Sequence, residues 1–244
     1  MIVPHKDNSD PHQTQPKALW AYDAIREAII SMRLSPGAVL NDKETCQALG
    51  VSRTPMREAV LRLAQEGLVQ VVPSGGTYVS KLDVRKILEG HLVRASIELQ
   101  TVRVAARHYD KSFDQEIDLL LYRQQLATDH NDIDEAFRID NEFHRTICKV
   151  AGFPNLWKTI YSSTGQLDRA RRLAFSSPDF FAEVVSEHRA IYDATKNAKE
   201  IEAVNLMRAH LGSIREIVSH VLRLPEGVVH SEMDDILIDE IARI

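Results

Sequence analysis

The chain has 244 residues, of which 44% are hydrophobic and 27% charged, with a formal net charge of −5. That length allows two domains and a sizeable core, and the composition excludes a disordered chain or one built to span a membrane. Only two cysteines are present, Cys46 and Cys148, without CxxC spacing, which excludes a disulfide framework or a cysteine metal site and suits a reducing cytoplasm.

Residues 1–16 are polar, carry Pro4, His5 and Pro11, and lack the apolar run of a secretion signal, so a disordered arm on a cytoplasmic protein is expected. From Ala18 to Arg33 an apolar stripe at Leu19, Tyr22, Ile25, Ile29 and Met32 predicts an amphipathic helix, closed by Ser35-Pro36-Gly37. Asn41 and Glu44 have capping-box spacing and open a short helix that stops at Gly50.

Ser52 then has the character of an N-cap, Pro55 falls in the first helical turn, and Met56, Ala59, Val60 and Leu63 recur at helical spacing. Arg53 and Arg57, one turn apart with Thr54 beside them, share the opposite face. Guanidinium groups so placed either bond guanine edges and phosphates in a major groove or decorate a solvated surface. Leu68-Val69-Gln70-Val71-Val72, the turn Pro73-Ser74-Gly75-Gly76 and Thr77-Tyr78-Val79-Ser80 predict a hairpin. Helix, short helix, turn, helix and hairpin make a winged helix-turn-helix over 17–81. This stretch holds eight Lys or Arg against six Asp or Glu, so the basic excess lies where a nucleic acid would dock. One recognition helix reads few base pairs, so a homodimer on a two-fold operator is expected.

Residues 82–222 show helical periodicity, with helices expected near 83–108, 113–128, 132–150, 155–175, 179–196 and 198–222. The fold class is therefore mainly α: a winged helix-turn-helix followed by an antiparallel helical bundle. In the bundle, Asp140 and His144 are four apart on one helix face, and His188 and His210 lie on two further helices. Three imidazoles and a carboxylate suit zinc or nickel, or manganese or iron with added oxygen ligands. Equally open from spacing alone is a set of unrelated core or surface histidines. No role is read for His5, His12, His91, His108, His130, His220 or His230. The stretch 223–244 interleaves acidic residues with Ile236, Leu237, Ile238, Ile241 and Ile244 and is expected to be a partly ordered acidic tail.

The block Leu49-Gly50-Val51-Ser52-Arg53-Thr54-Pro55-Met56-Arg57-Glu58-Ala59, with Leu34-Ser35-Pro36-Gly37, Leu61-Arg62-Leu63, Glu66-Gly67-Leu68-Val69 and Gly76-Thr77-Tyr78-Val79, resembles the GntR family of bacterial transcription regulators. The resemblance implies that Lys43, Arg53 and Arg57 touch operator bases and phosphates, with Thr54 beside them, and that the wing tip at Gly75 and Gly76 reaches the minor groove. Lys43 stands where arginine is frequent, and the tip lacks its usual basic residue.

The run Arg94-Ala95-Ser96-Ile97-Glu98, then Asp140-x-x-x-His144, Ala151-Gly152-Phe153-Pro154-Asn155, Glu187-His188-Arg189-Ala190-Ile191 and Met207-x-x-His210-Leu211, resembles the FCD effector domain of the FadR-like branch. In metal-binding members the four matching positions hold a divalent cation, here expected to be zinc. Relatives without the set bind acyl-CoA, so its presence implies a small organic acid whose carboxylate completes the coordination. Arg94 is either a second contact to that anion or an i,i+4 partner of Glu98. Lys196-Asn197-Ala198-Lys199-Glu200 departs from the family, in which a Gly-Asp turn is usual.

The expected function is thus a ligand-responsive DNA-binding regulator, acting as a repressor, with no catalytic residues. A coupling of about 2 kcal/mol between cavity and head would change operator affinity roughly thirtyfold. Two rival readings are a DNA-binding protein with a purely structural metal and a metal-dependent hydrolase.

Overall fold

The computed structural model describes residues 16–175, 178–225, 227–230 and 241. The expected arm, apart from Pro16, and most of the acidic tail lie outside them.

Helix α1 (Lys17–Ile30) buries Tyr22, Ile25 and Ile29 as the periodicity requires. Leu19, at the edge of the stripe, remains exposed, and Met32 falls past the helix end in a left-handed turn at φ 60°. After the short strand β1 (Val39–Leu40), Asn41 caps α2 (Asp42–Leu49): its side-chain oxygen accepts from the Lys43 and Glu44 amides at 3.0 and 3.2 Å, and its amide nitrogen donates to Glu44 Oε1 at 3.1 Å. Gly50 ends α2 at φ 64°, a region glycine enters without steric cost.

Helix α3 (Arg53–Gln65) begins at the expected place, yet the Ser52 side chain makes no capping bond. The reason is chemical: the third helical residue is Pro55, so one of the two amides an N-cap hydroxyl usually takes does not exist. Strands β2 (Val69–Val72) and β3 (Gly76–Val79) pair antiparallel with Val69 opposite Val79 and Val72 opposite Gly76, and β1 adds to the far edge of β3 to give the order β1-β3-β2. That third strand, two residues long, is too short to show in the sequence pattern.

Strand β4 (Leu82–Asp83) leads into α4 (Val84–Arg107), the axis of the bundle, against which α6 (Ile133–Val150), α7 (Leu156–Ser163), α8 (Gly165–Ala174), α9 (Pro178–Lys196), α10 (Glu200–Leu211) and α11 (Ile214–Val221) pack. Helix α5 (Asp114–Asp129) lies against α6 and α9. The single helices expected over 155–175 and 198–222 are each two. The first breaks at Thr164, where α4 crosses so closely that a Cβ on Gly90 would lie 2.9 Å from the Ser163 carbonyl oxygen. The second breaks at Gly212-Ser213.

Leu99, Val102, Phe143, Ile147, Ile191, Tyr192 and Met207 form the bundle core. Part of the tail is ordered: β5 (Val229–His230) pairs in parallel with β4, and Ile241 packs near Leu82. Among the described residues no helix is long and apolar enough to cross a membrane.

The loop between α9 and α10, where the sequence departs from the Gly-Asp turn, places Ala198 at φ 57°. An L-residue with a Cβ there costs about 1–2 kcal/mol, partly offset by the entropy glycine would lose on folding. Ala198→Gly is therefore expected to stabilise the protein by about 0.5–1 kcal/mol, read as a rise in Tm of roughly 2–4 °C.

Candidate functional site

On the head, Lys43, Arg53, Thr54 and Arg57 are all exposed, while Met56, Ala59, Val60 and Leu63 on the other side of α3 are buried. Among the described residues, the side chains of Lys43, Arg53 and Arg57 have no hydrogen-bond or ion-pair partner, and all three cations are exposed. The wing tip is shaped by backbone conformations that suit short residues: Ser74 at φ 60° and Gly76 at φ 108°. A Cβ on Gly75 would come within 2.7 Å of Val72 Cγ1, and the Tyr78 hydroxyl donates to the Gly75 carbonyl at 2.9 Å. The tip is exposed and uncharged.

In the bundle, α6, α9 and α10 bring Asp140, His144, His188 and His210 together, with one ligand atom of each within 4.8 Å of the others, every residue being buried. Two of the imidazoles are oriented by a hydrogen-bond partner at Nδ1, and a carboxylate lies beside Nδ1 of the third. Gln124 Oε1 on α5 accepts from His188 at 2.9 Å, Glu98 Oε2 on α4 lies 2.5 Å from His144, and Glu187 Oε2 on α9 accepts from His210 at 2.6 Å. Acceptors at the Nδ1 positions of His188 and His210 put the N–H there and turn each Nε2 toward the cluster, whereas His144 Nδ1 and Glu98 Oε2 lie close without being aligned as a hydrogen bond. The Phe143 ring stacks on His188 with centroids 4.0 Å apart and fixes the plane of that imidazole.

The Nε2 atoms converge on one another and on Asp140. His144 Nε2 is 3.1 Å from His210 Nε2 and 3.9 Å from Asp140 Oδ1, and His188 Nε2 is 3.6 Å from the same oxygen. Arg171 donates to Asp140 Oδ2 at 3.0 Å, but Asp140 Oδ1 and His188 Nε2 are buried without a hydrogen-bond partner. Leaving such a group unpaired costs about 1–3 kcal/mol.

A proton is not the missing partner. Burial pushes the His144 imidazole down to about 4 and holds His188 well below its ordinary range. Burial opposes the ionisation of Asp140, yet Arg171, then the imidazoles and Arg94, keep its carboxyl well below the usual range. Burial likewise opposes Glu98, which Arg94 and His144 bring down to about 2. His144 and His188 are therefore neutral imidazoles beside an anion, the protonation state a metal needs. Bonds of 2.0–2.2 Å in a tetrahedral site imply ligand separations of about 3.4 Å, and about 3.0 Å between adjacent octahedral ligands. The three separations straddle those values, so the residues fit a divalent cation.

One member of the cluster, His210, lines a cavity of about 210 Å3, smaller than the roughly 300–1,000 Å3 of sites for drug-sized ligands and sized for a small molecule. Arg94 and Arg171 line it. Arg94 does pair with Glu98, Nε to Oε1 at 2.7 Å, but its Nη2 is buried and unpartnered, as is Arg171 Nη1. The i,i+4 ion pair and a place in the cavity wall thus coexist in one side chain.

His91, given no role from the sequence, also lines the cavity and is lowered to about 4 by burial and then by Arg94. Sequence reasoning missed Gln124 and Arg171 as well. Gln124 left a signal, a polar residue in register with Leu120 and Thr128 on the buried face of α5. Arg171 left none, because a charged residue four from the end of a short helix usually faces water.

A head of three helices and a hairpin wing, joined to a bundle with a ligand-lined core, defines a winged-helix transcription regulator with a helical second domain. The chain belongs to the GntR family: residues 17–79 match the family model for bacterial regulatory proteins of the gntR family, and residues 83–213 match the FCD domain. It is 34% identical over 200 residues to a protein of Streptomyces ambofaciens described as an HTH-type transcriptional regulator in an unstable DNA locus, covering 82% of this chain and 84% of that one. It is 29% identical over 208 residues to the HTH-type transcriptional repressor RspR of Escherichia coli K12, covering 85% and 91%. The fold matches the solved structure of E. coli McbR/YncC with a TM-score of 0.74 at 20% identity, over 86% of this chain and 99% of that one. Both domains and these relatives are those of transcription regulators, not of enzymes, which removes the hydrolase reading.

Gln124→Leu removes the acceptor that fixes the His188 tautomer without changing a ligand. Zinc affinity, measured by competition with a chromophoric chelator, is expected to fall about 10- to 100-fold with unchanged far-UV circular dichroism.

Proposed function

We propose that this regulator binds a two-fold operator as a homodimer, acts as a cytoplasmic repressor, and senses a small organic acid through a divalent metal in its FCD domain. The observation that carries the sensing part is the convergence of three buried imidazoles and Asp140 beside a cavity lined by His210, Arg94 and Arg171. Asp140, His144, His188 and His210 would hold the cation, with zinc favoured by a nitrogen-rich set. The bound cation supplies positive charge and exchangeable coordination positions to a carboxylate. The chain's own residues do the rest: Arg94 orients the second oxygen of the anion, and the buried walls exclude competing water.

For the head, the exposed cations Lys43, Arg53 and Arg57, with Thr54 at the start of α3, are the proposed operator contacts, and Gly75 and Gly76 let the wing approach the adjacent groove closely. Repression rests on the similarity to a protein named as a repressor.

A specific observation also favours the rival of a structural metal: four protein ligands, all buried, describe a closed site as well as an open one. Thermal shift of zinc-loaded and chelator-stripped protein against small mono-, di- and hydroxy-carboxylates and sugar acids separates the two. The sensing reading expects one acid class to add to the metal's stabilisation only when metal is present; stabilisation by metal alone, with no acid adding to it, supports the structural reading. His188→Ala is expected to lose stoichiometric zinc while retaining operator binding. Arg53→Ala is expected to lose about 1–3 kcal/mol of operator affinity, and a fluorescence-anisotropy titration that finds wild-type affinity rejects the proposed reading helix.

A further inference from the structure

Helix α8 touches the cavity with one side and the head with the other. Leu167 and Arg171 line the cavity. From the same helix, Gln166 Nε2 donates to the Gly67 and Lys81 carbonyls at 2.9 and 3.2 Å, and Arg169 Nη1 donates to the Ser80 carbonyl at 3.0 Å. These carbonyls mark the two places where the chain leaves α3 and leaves the wing. A row of buried charges runs through the helix between them.

The row begins at the metal cluster. Arg171 Nη2 holds Asp140 Oδ2 at 3.0 Å, and its Nη1, which has no hydrogen-bond partner, lies 3.9 Å from Asp168 Oδ1. The other Asp168 oxygen accepts from Thr164 Oγ1 at 3.0 Å and lies 3.4 Å from Arg26 Nη2 on α1. Arg26 in turn donates to the Tyr161 carbonyl at 2.7 Å, stacks on the Tyr161 ring at 3.6 Å, and reaches Glu66 Oε2 with Nε at 3.3 Å. Glu66 is the C-cap of α3, accepts from the Tyr22 hydroxyl at 2.5 Å and pairs with Arg62 on α3. From Asp140 to Arg26 each residue is at most 9% exposed, so solvent and salt screen these neighbours weakly.

Asp168 is shared by two guanidinium groups, one from the cavity wall and one from the head. Arg171 also lines the cavity. We propose that Arg171 is the positioning residue through which the cavity controls the head: an anion that draws Arg171 away from Asp168 leaves this carboxylate to Arg26 and tightens the hold on the C-terminal end of α3. What draws Arg171 away rests on the effector reading above, whereas the route itself belongs to the protein alone and is tested without any effector.

The test is amide hydrogen exchange on the full-length, zinc-loaded protein. Arg171→Lys keeps one cation for Asp140 but loses the fork that also reaches Asp168, so amides of 22–26 and 62–68 are expected to exchange about threefold more slowly than in the wild type. Arg171→Gln is expected to act in the same direction. Asp168→Asn removes the shared carboxylate and is expected to speed the same amides about tenfold, and adding Arg171→Lys to it is expected to change nothing more. The route is overturned if Arg171→Lys leaves those amides unchanged, speeds them, slows the bundle uniformly, or still acts in the Asp168→Asn background. If Arg171→Gln does not fold, the lysine variant decides alone. Absence of any acid response in the thermal-shift screen bears on the effector reading and leaves these outcomes intact.

Discussion

The architecture turns on the burial of Arg26. It is 4% exposed, sits on the first helix of the head, and is satisfied by groups from both domains: Glu66 at the end of α3, Asp168 on α8 and the Tyr161 carbonyl at the end of α7. A guanidinium removed from water is tolerated only where carboxylates and carbonyls surround it, and losing one partner of such a group is far costlier than breaking a surface pair. The head therefore does not hang from a bare linker. Its orientation is tied to α8 by charge, by the bonds of Gln166 and Arg169 to the ends of α3 and the wing, and by Leu68 packed against Gly165, where a Cβ would approach it to 3.0 Å.

The same economy of buried charge explains the bundle interior. Asp140, Glu98, Arg94 and Arg171 are ions in a low-dielectric cavity, and His144, His188 and His210 are interleaved with them. Desolvation keeps the His144 and His188 rings neutral, while guanidinium groups keep the carboxylates ionised against the same desolvation. What remains unbalanced is local: Asp140 Oδ1 and His188 Nε2 at the centre, and nitrogens of Arg94 and Arg171, two residues of the cavity lining, are buried without a hydrogen-bond partner. A cation answers the first and an anion the second, so the two parts of the proposed ligand are complementary to two separate deficits in one site.

The head was readable residue by residue because its signals are local. The Asn41 box, the left-handed Gly50, the spacing of Met56, Ala59, Val60 and Leu63, and the turn between two β-branched runs each depend on neighbours within a few positions. Of the misses, one was local and one tertiary in cause. Ser52 has the right side chain for a cap, but Pro55 removes a donor. The uninterrupted periodicity of 155–175 hides the break at Thr164, which the closeness of α4 at Gly90 accommodates.

The sequence by itself determined the order of elements, the exposed cations of α3, and the Asp140-x-x-x-His144 pair, since helical geometry alone puts residues four apart on one face. It also supplied His188 and His210 as candidates, by resemblance. Only the tertiary structure decided that α9 and α10 carry those two rings to the same point, that Gln124 and Glu187 turn the Nε2 atoms of His188 and His210 inward, and that Arg171 stands between Asp140 and Asp168. Those facts depend on which helices pack against α4 and in what rotation. Side-chain chemistry along the chain does not encode that rotation where one buried charge, such as Arg171, looks the same as an exposed one until its neighbours are in place.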